Sequence, residues 1–127
     1  MTMILGEGQE YGNGNYERNS HMIIITNAFS INMLSGTAKV NFEQISTETA
    51  RTFIKEADDI ISAIGHDDTA NIVGGILGIE VNPNRMSVQL TSDETLLVAQ
   101  YTGPRLPEGA TTLPEGATIN FWLVSKC

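Results

Sequence analysis

The sequence predicts one α/β domain, a mixed β-sheet of about five or six strands flanked by helices. Three observations support this fold class. Short β-branched or alternating runs, typical of strands, separate two segments that have apolar residues at helical spacing. Gly, Pro and Asn mark most of the turns between these segments. The chain has 127 residues and a hydrophobic fraction of 41%, which is enough for a single core.

The strands are predicted from two kinds of pattern. Residues 23–26, with the sequence IIIT, form a β-branched run typical of a buried strand, and a polar loop follows them. Residues 37–45 alternate in polarity and place Ala38, Val40 and Phe42 on one face, which predicts a half-buried strand. Further strands are predicted at residues 60–64 (a strand or a bend), 86–90, 95–101 and 118–124.

The first helix is predicted just after residue 45. Ser46 or Thr47 has a side-chain oxygen that can accept a hydrogen bond from the free N–H groups of a first helical turn. Apolar residues then recur at i, i+3, i+4 and i+7, which predicts one face turned to the core. These residues are Ala50, Phe53, Ile54 and Ala57.

The second helix is predicted to begin at Asp67 or Asp68, either of which can cap it, and to end at Gly78. Its apolar stripe consists of Ile72, Val73, Ile76 and Leu77. Gly74 and Gly75 lie inside this helix, where each glycine is destabilising by about 1 kcal/mol relative to alanine. Close packing of the helix on the sheet is the expected compensation.

Residues 1–21 differ from the rest of the chain. They are rich in Gly, Asn and Glu and, after the first few residues, show neither a helical nor a strand period. His21 and Met22 also form the dipeptide that a common cloning site leaves before a native start codon. We therefore expect residues 1–21 to be a cloning leader or a disordered arm, and the domain to occupy residues 22–127.

Composition excludes several classes of protein. The chain has 15 acidic and 7 basic residues, a net charge of −8, so it has too few Lys and Arg for the basic face that coats DNA or RNA. Any anionic ligand must therefore be small and held by a few local donors. No apolar run approaches the ~20 residues that a membrane span needs. The single cysteine, Cys127, excludes a disulfide scaffold and fits a reducing intracellular setting.

His66 is the leading candidate for catalysis, because an imidazole is the side chain best suited to proton transfer near neutral pH. By spacing alone, a structural histidine at a helix start is the alternative. Asp67 and Asp68 could join His66 as hard metal ligands, but three adjacent residues rarely converge on one ion, so no metal is predicted. A Ser or Cys nucleophile is also disfavoured, since no G-x-S-x-G occurs and Cys127 is the last residue.

Anion binding has more support from the residues. The N–H groups at a helix start near Thr69 form a natural phosphate site. Arg85 follows a turn and Arg105 lies in a Gly/Pro-rich loop, and two guanidinium groups can hold phosphate in a bidentate way. Surface arginines that only favour solubility are the alternative interpretation. The same loop contains LPEGA twice, too short a repeat to indicate a solenoid.

Four segments together resemble the viral ring nucleases, small anti-CRISPR proteins of archaeal viruses and bacteriophages that oppose type III CRISPR defence. The segments occur in the order and approximate spacing of that family, and the resemblance extends from residue 22 to about residue 115. They are TNAFSINML (26–34), IGHDDTANIV (64–73), NPNRMSVQL (82–90) and RLPEG (105–109). NAFSINML and GHD-x-T are the most specific of these motifs.

The resemblance implies a homodimeric ring nuclease domain that acts in the cytoplasm of the infected host cell without a metal or other cofactor. Members of that family bind cyclic tetra-adenylate, a second messenger, and cleave it to linear di-adenylate with 2′,3′-cyclic phosphate ends. Loss of the messenger silences the effectors that it activates. Neither DNA nor a membrane is implied as a partner.

The resemblance also implies the site residues. His66 and Glu108 would be catalytic. His66, as an imidazolium, would protonate the leaving group, and Glu108 would orient the His66 ring. The implied substrate-binding residues are Asn27, Ser30, Asn32, Thr69, Arg85, Gln100 and Arg105. These roles agree with the chemistry, because the substrate's own 2′-OH is the nucleophile. The protein must position that hydroxyl, stabilise charge on phosphorus and protonate the leaving group.

Two features depart from the family pattern. Asp68 stands where members usually have serine, and its charge would repel a phosphate unless it turned back to cap the helix. The segment QYTGPR (100–105) is one residue longer than usual. These departures keep open an alternative, in which the protein binds a cyclic oligoadenylate to sequester or sense it without cleavage. A third alternative is partner binding with no nucleotide role.

Overall fold

A five-stranded mixed sheet flanked by two helices forms the fold in a computed structural model, which describes residues 22–127. This confirms the predicted fold class. The elements in chain order are β1 (Met22–Thr26), a 3₁₀ helix (Ile31–Met33), β2 (Val40–Ile45), α1 (Thr47–Glu56), β3 (Asp59–Ser62), α2 (Asp67–Leu77), β4 (Glu94–Thr102) and β5 (Thr118–Lys126). The expectation for residues 1–21 lies outside the described residues.

The order of the strands determines which loops meet. Across the sheet the order is β2-β5-β4-β1-β3, with β1 parallel to both β3 and β4. The strand β5 is antiparallel to β4 and β2. Because β1, β3 and β4 run the same way, the loops that follow them leave the sheet at one edge. In open α/β sheets, this carboxyl edge of the parallel strands is where ligands bind.

Both helices contribute to one hydrophobic cluster on one face of the sheet. Apolar side chains from the interior of the sheet meet the buried stripe of each helix there, which is the layer arrangement expected when an amphipathic helix covers a sheet. The buried members are Ile23, Ile25, Ala50, Ile54, Ile64, Ala70, Val73, Leu77, Val81, Leu97, Ala99, Phe121 and Leu123. Within the described residues, neither helix is long and apolar enough to cross a membrane.

The opposite face of the sheet is covered by loops. A second cluster there buries Ile24, Val88, Leu90, Leu96, Val98 and Val124. The predicted strand at 86–90 is wrong, since these residues form no strand. Val88 and Leu90 are buried between exposed neighbours, so the segment has a strand-like pattern, but the Leu90 N–H donates to the carbonyl oxygen of Met33 at 2.8 Å instead of to a strand. The alternation of buried and exposed side chains therefore arises because the segment packs on the face of the sheet.

Phe42 is not a core residue, in contrast to the prediction from alternation. Its side chain is 52% exposed because β2 is an edge strand in which no residue is buried. It contacts Phe29 edge-to-face, with 5.3 Å between the ring centroids. In α1 the predicted cap is confirmed, since the Ser46 side chain accepts a hydrogen bond from the Thr49 N–H at 3.1 Å. Of the predicted apolar stripe, Phe53 lies at its margin and is 36% exposed.

The two glycines inside α2 have different surroundings. A Cβ added at Gly74 would lie 2.7 Å from the carbonyl oxygen of Ile79 and 3.2 Å from the nitrogen of Val81. Gly74 thus allows the chain that leaves the helix to pack against it, so the compensating contact is with residues 79–81 and not with the sheet. A Cβ at Gly75 would meet nothing within 4 Å. A close contact that could compensate therefore exists at Gly74 alone, and it is made with the chain after the helix and not with the sheet as expected.

We expect Gly75→Ala to stabilise the protein by about 0.5–1 kcal/mol, because the exposed helical position has room for a methyl group and alanine loses less entropy on folding. Gly74→Ala is the matched control and should destabilise the protein, since its Cβ would collide with backbone atoms. Urea unfolding of both variants checks this. Shifts of the same sign in the two variants would contradict the packing described for Gly74.

Candidate functional site

A pocket of about 310 Å³ at the carboxyl edge of the parallel strands gathers three of the predicted site residues. His66, Arg85 and Glu108 line it together with Gly65, Asp67 and Asp68. The three predicted residues are exposed and come from three separate segments of the chain. An imidazole, a guanidinium group and a carboxylate therefore face one space that a ligand can enter.

The turn at residues 82–85 holds Arg85 beside the end of β3. The backbone N–H of Asn84 donates to the carbonyl oxygen of Ile64 at 2.7 Å, and its side-chain amide donates to that of Ser62 at 2.8 Å. Arg85 then donates from Nε to the carbonyl oxygen of Gly65 at 3.3 Å. This bond engages Nε and not the two terminal Nη groups, which suit bidentate binding of an anion. The positioning role of Asn84 was not predicted, although the NPNR turn was.

Gly65 allows Arg85 to pass close to the backbone. A Cβ at Gly65 would lie 2.9 Å from Cγ of Arg85, a separation that real Cβ atoms essentially never show. Glycine at this position of the GHD motif therefore has a steric explanation, because a Cβ there would force the Arg85 side chain to shift.

His66 caps α2, so the predictions of Asp67 or Asp68 as the cap are wrong. The His66 backbone is extended, with φ −119° and ψ 132°, and its Nδ1 accepts a hydrogen bond from the Asp68 N–H at 3.3 Å. Asp67 and Asp68 come after the cap position and belong to the first helical turn. Their negative charges interact favourably there with the helix dipole. Because Nδ1 is the acceptor, a neutral His66 ring carries its hydrogen on Nε2.

Asp68 bonds to the loop that carries Glu108. Its side chain is only 7% exposed, and its Oδ2 accepts a hydrogen bond from the Gly109 N–H at 3.1 Å. The expectation that this carboxylate turns back onto its own helix is therefore wrong. Glu108 lies inside a tight turn, closed by a bond of 3.2 Å from the Ala110 N–H to the carbonyl oxygen of Pro107, and Gly109 has the positive φ of +81° that such a turn requires.

The charges around the pocket are unequal. Asp67, Asp68 and Glu108 supply three carboxylates, whereas Arg85 supplies the guanidinium group. Thr69 follows in the first turn of α2 and is half-buried. Within residues 22–127, no three His, Cys, Asp or Glu side chains are grouped so as to hold a metal ion.

The predicted residues of the loop after β1 lie at the same sheet edge but do not line this pocket. Ser30 caps the 3₁₀ helix, accepting a hydrogen bond from the Asn32 N–H at 3.2 Å. The carbonyl oxygen of Asn32 accepts from the side-chain amide of Gln89, also at 3.2 Å. Asn27 and the side chain of Asn32 are exposed.

Gln100 and Arg105 also lie apart from the pocket of His66. Gln100 lines a second space of about 370 Å³, whose other residues are Phe29, Phe42, Val98, Trp122 and Val124. That groove lies on the loop-covered face of the sheet. Arg105 is exposed in the loop between β4 and β5.

Comparison with known proteins places the chain in a family. The model of the STIV B116-like family matches residues 23–122, a range that includes every segment of the pocket. The structure of B116 of Sulfolobus turreted icosahedral virus is similar, with a TM-score of 0.69 and 29% sequence identity over 81% of this chain and 97% of that one. No curated protein matches. The chain belongs to the STIV B116-like family.

Proposed function

We propose that this protein is a metal-independent ring nuclease, which cleaves cyclic tetra-adenylate to linear di-adenylate with 2′,3′-cyclic phosphate ends. The observation that carries the proposal is the convergence of His66, Arg85 and Glu108 on one open pocket at the start of α2. The resemblance of four sequence segments to the viral ring nucleases supplies the substrate and the reaction. Membership of a family named after a viral protein agrees with the viral part of that resemblance.

The proposed reaction is a transesterification within the ring. A ribose 2′-oxygen forms a bond to the adjacent phosphorus and the bond between that phosphorus and the 5′-oxygen breaks. The 2′-OH gives its proton to solvent water, and the 5′-oxygen gains a proton. Cuts at opposite phosphates convert the ring to linear di-adenylate. The protein contributes by holding the 2′-oxygen in line. Arg85 stabilises the charge that builds on the phosphoryl oxygens, and His66 protonates the 5′-oxygen.

The hydrogen bond that caps α2 bears on how His66 acts. As a neutral ring it accepts from the Asp68 N–H through Nδ1 and offers its Nε2–H to a ligand. As an imidazolium, the form that can give a proton to the leaving oxygen, its Nδ1–H would face the same N–H group. The charged ring must therefore give up the cap bond. Glu108, in the same pocket, supplies a carboxylate that can accept the Nδ1–H.

A homodimer fits this substrate. The ring has four-fold symmetry and the dimer would have two-fold symmetry, so two copies of His66 could address opposite phosphates. A ring held between two copies would meet an Arg85 side chain from each copy, and the exposed Arg105 is a further guanidinium group that could approach its phosphates. Action on the messenger would occur in the cytoplasm of the infected host cell and would inhibit type III CRISPR signalling.

Incubation of the protein with cyclic tetra-adenylate in excess EDTA tests the proposal. Chromatography should show loss of the ring and formation of linear di-adenylate with a 2′,3′-cyclic phosphate end. A ring that survives a stoichiometric amount of protein would contradict the enzymatic function. The second candidate, sequestration or sensing without cleavage, is favoured by the carboxylate-rich lining, which opposes extra charge on phosphorus. Tight binding by calorimetry together with an intact ring would support it.

We expect Glu108→Gln to lower the cleavage rate roughly 10- to 100-fold, because a neutral amide cannot stabilise the positive charge of the His66 imidazolium as a carboxylate does. Glu115→Gln is the matched control. Glu115 occupies the same place in the second LPEGA copy, where the Ala117 N–H donates to the carbonyl oxygen of Pro114 at 3.1 Å, and it does not line the pocket. Steady-state cleavage rates of the two variants check this. Equal losses would show that Glu108 has no special role.

A further inference from the structure

We propose that Asp68 is a positioning residue, which fixes Glu108 in relation to His66. The inference rests on the proposed ring nuclease function, since it assigns Asp68 a task in that reaction. It concerns a residue whose charge, taken alone, opposes the binding of a phosphate.

Asp68 is bonded to both sides of the candidate catalytic pair. Its backbone N–H donates to Nδ1 of His66 at 3.3 Å, and its Oδ2 accepts from the N–H of Gly109, the residue after Glu108, at 3.1 Å. The side chain of Asp68 is 7% exposed, whereas those of His66 and Glu108 are open to solvent. Asp68 thus contacts the neutral His66 ring through its backbone N–H and holds the Glu108 turn through its buried side chain, and only the second bond is independent of the charge on the ring. We call the bond from Gly109 to Asp68 the clasp.

The clasp attaches a turn that forms without it. The two LPEGA copies make the same turn, with φ +81° at Gly109 and φ +82° at Gly116, and both are closed by an N–H···O bond between the alanine and the proline. The second turn forms away from Asp68, so the local sequence suffices to make it. Asp68 instead determines where the first turn lies. The loop between β4 and β5 is long, exposed and rich in Gly and Pro, so its own sequence does not fix that position.

The clasp needs a hydrogen-bond acceptor at position 68 but not a negative charge. An asparagine has a side-chain oxygen at the same distance from the backbone as the carboxylate oxygen and can accept from the Gly109 N–H. Alanine has no acceptor. Asp68→Asn and Asp68→Ala therefore separate a positioning role from an effect of charge. Glu48→Ala is the matched control, since Glu48 is also the second residue of its helix, α1, and is exposed.

The experiment compares wild type with these three variants in two measurements. In cleavage of cyclic tetra-adenylate, Asp68→Ala should lower kcat by roughly 10- to 100-fold, no more than Glu108→Gln does because Asp68 acts through Glu108, with little change in KM. Asp68→Asn should restore most of kcat, and Glu48→Ala should leave it unchanged. Amide hydrogen exchange followed by NMR should show Gly109 protected in wild type and Asp68→Asn, and unprotected in Asp68→Ala.

Several results would overturn the inference. A kcat equally low in the Asn and Ala variants would assign the effect to charge, and a change confined to KM would assign Asp68 to binding. An unprotected Gly109 amide in wild type would show that the clasp does not form in solution. If wild type does not cleave the ring at all, the proposed function fails, and with it the catalytic task of Asp68, while the exchange measurement still decides whether the clasp exists.

Discussion

His66→Ala should lower the rate of cleavage of cyclic tetra-adenylate by about 10²- to 10⁴-fold and leave binding of the ring largely intact. General acid catalysis contributes a factor of this size, and an alanine has no proton to give to the 5′-oxygen. Arg85, the guanidinium group of the pocket and its proposed phosphate ligand, is unchanged in this variant. Calorimetry with the intact ring and single-turnover cleavage by chromatography measure the two effects separately.

The cap formed by His66 calls for a second variant. Alanine at a helix cap typically lowers stability by about 0.5–2 kcal/mol, so His66→Ala should also unfold more easily. His66→Asn supplies a side-chain oxygen, which is a preferred helix cap, but it cannot transfer a proton. We expect this variant to keep the stability of the wild type and to lose cleavage as His66→Ala does. Cleavage at the wild-type rate by His66→Asn would remove His66 from catalysis and leave it only as a cap.

Phe121→Ala should destabilise the protein by about 3–5 kcal/mol, which is the range for removal of a fully buried aromatic ring. Phe121 is 1% exposed and belongs to the cluster beneath both helices. It lies in β5 between Ala99 of β4 and Ile45 of β2, so the cavity would open where three strands meet. Small domains have total stabilities of about 5–15 kcal/mol, so this loss is a large part of the whole.

Phe42→Ala is the control for Phe121→Ala, since it removes the same ring from a neighbouring strand. Because Phe42 is 52% exposed, its truncation should cost about 1 kcal/mol or less. Urea unfolding of both variants, with the slope compared to detect changes in the unfolded state, measures the difference. Similar losses in the two variants would contradict the assignment of the core to the helix-covered face.

The comparison of these two rings shows what periodicity can and cannot predict about the fold. Helix and strand periods are local, so both helices and the strands containing Phe42 and Phe121 were predicted near their observed positions. The order of strands is non-local, so alternation placed Phe42 on a core face without revealing that its strand lies at the edge. The strand predicted at residues 86–90 is wrong for a related reason. An extended segment that packs on the face of a sheet buries alternate side chains, as a strand paired within the sheet does.

The resemblance to a family predicts His66, Arg85 and Glu108 as site residues, but it does not predict the contacts between loops that position them. His66 and Arg85 come together because residues 62–65 and the turn at 82–85 are held by backbone and side-chain hydrogen bonds. The role of Asp68 could not be predicted, since it depends on a bond to Gly109, 41 residues away. Aspartate is also a commoner helix cap than histidine, which explains why His66 was overlooked as the cap.

Cleavage of cyclic tetra-adenylate in water enriched in ¹⁸O tests the central claim most directly. If the ring's own 2′-oxygen attacks the phosphorus, the first linear product should carry a 2′,3′-cyclic phosphate that contains no ¹⁸O when its mass is measured at early times. Mass spectrometry of the newly formed ends distinguishes this from attack by water. A first product that bears a 3′-phosphate containing ¹⁸O would contradict catalysis by positioning of the substrate's hydroxyl in the pocket of His66, Arg85 and Glu108.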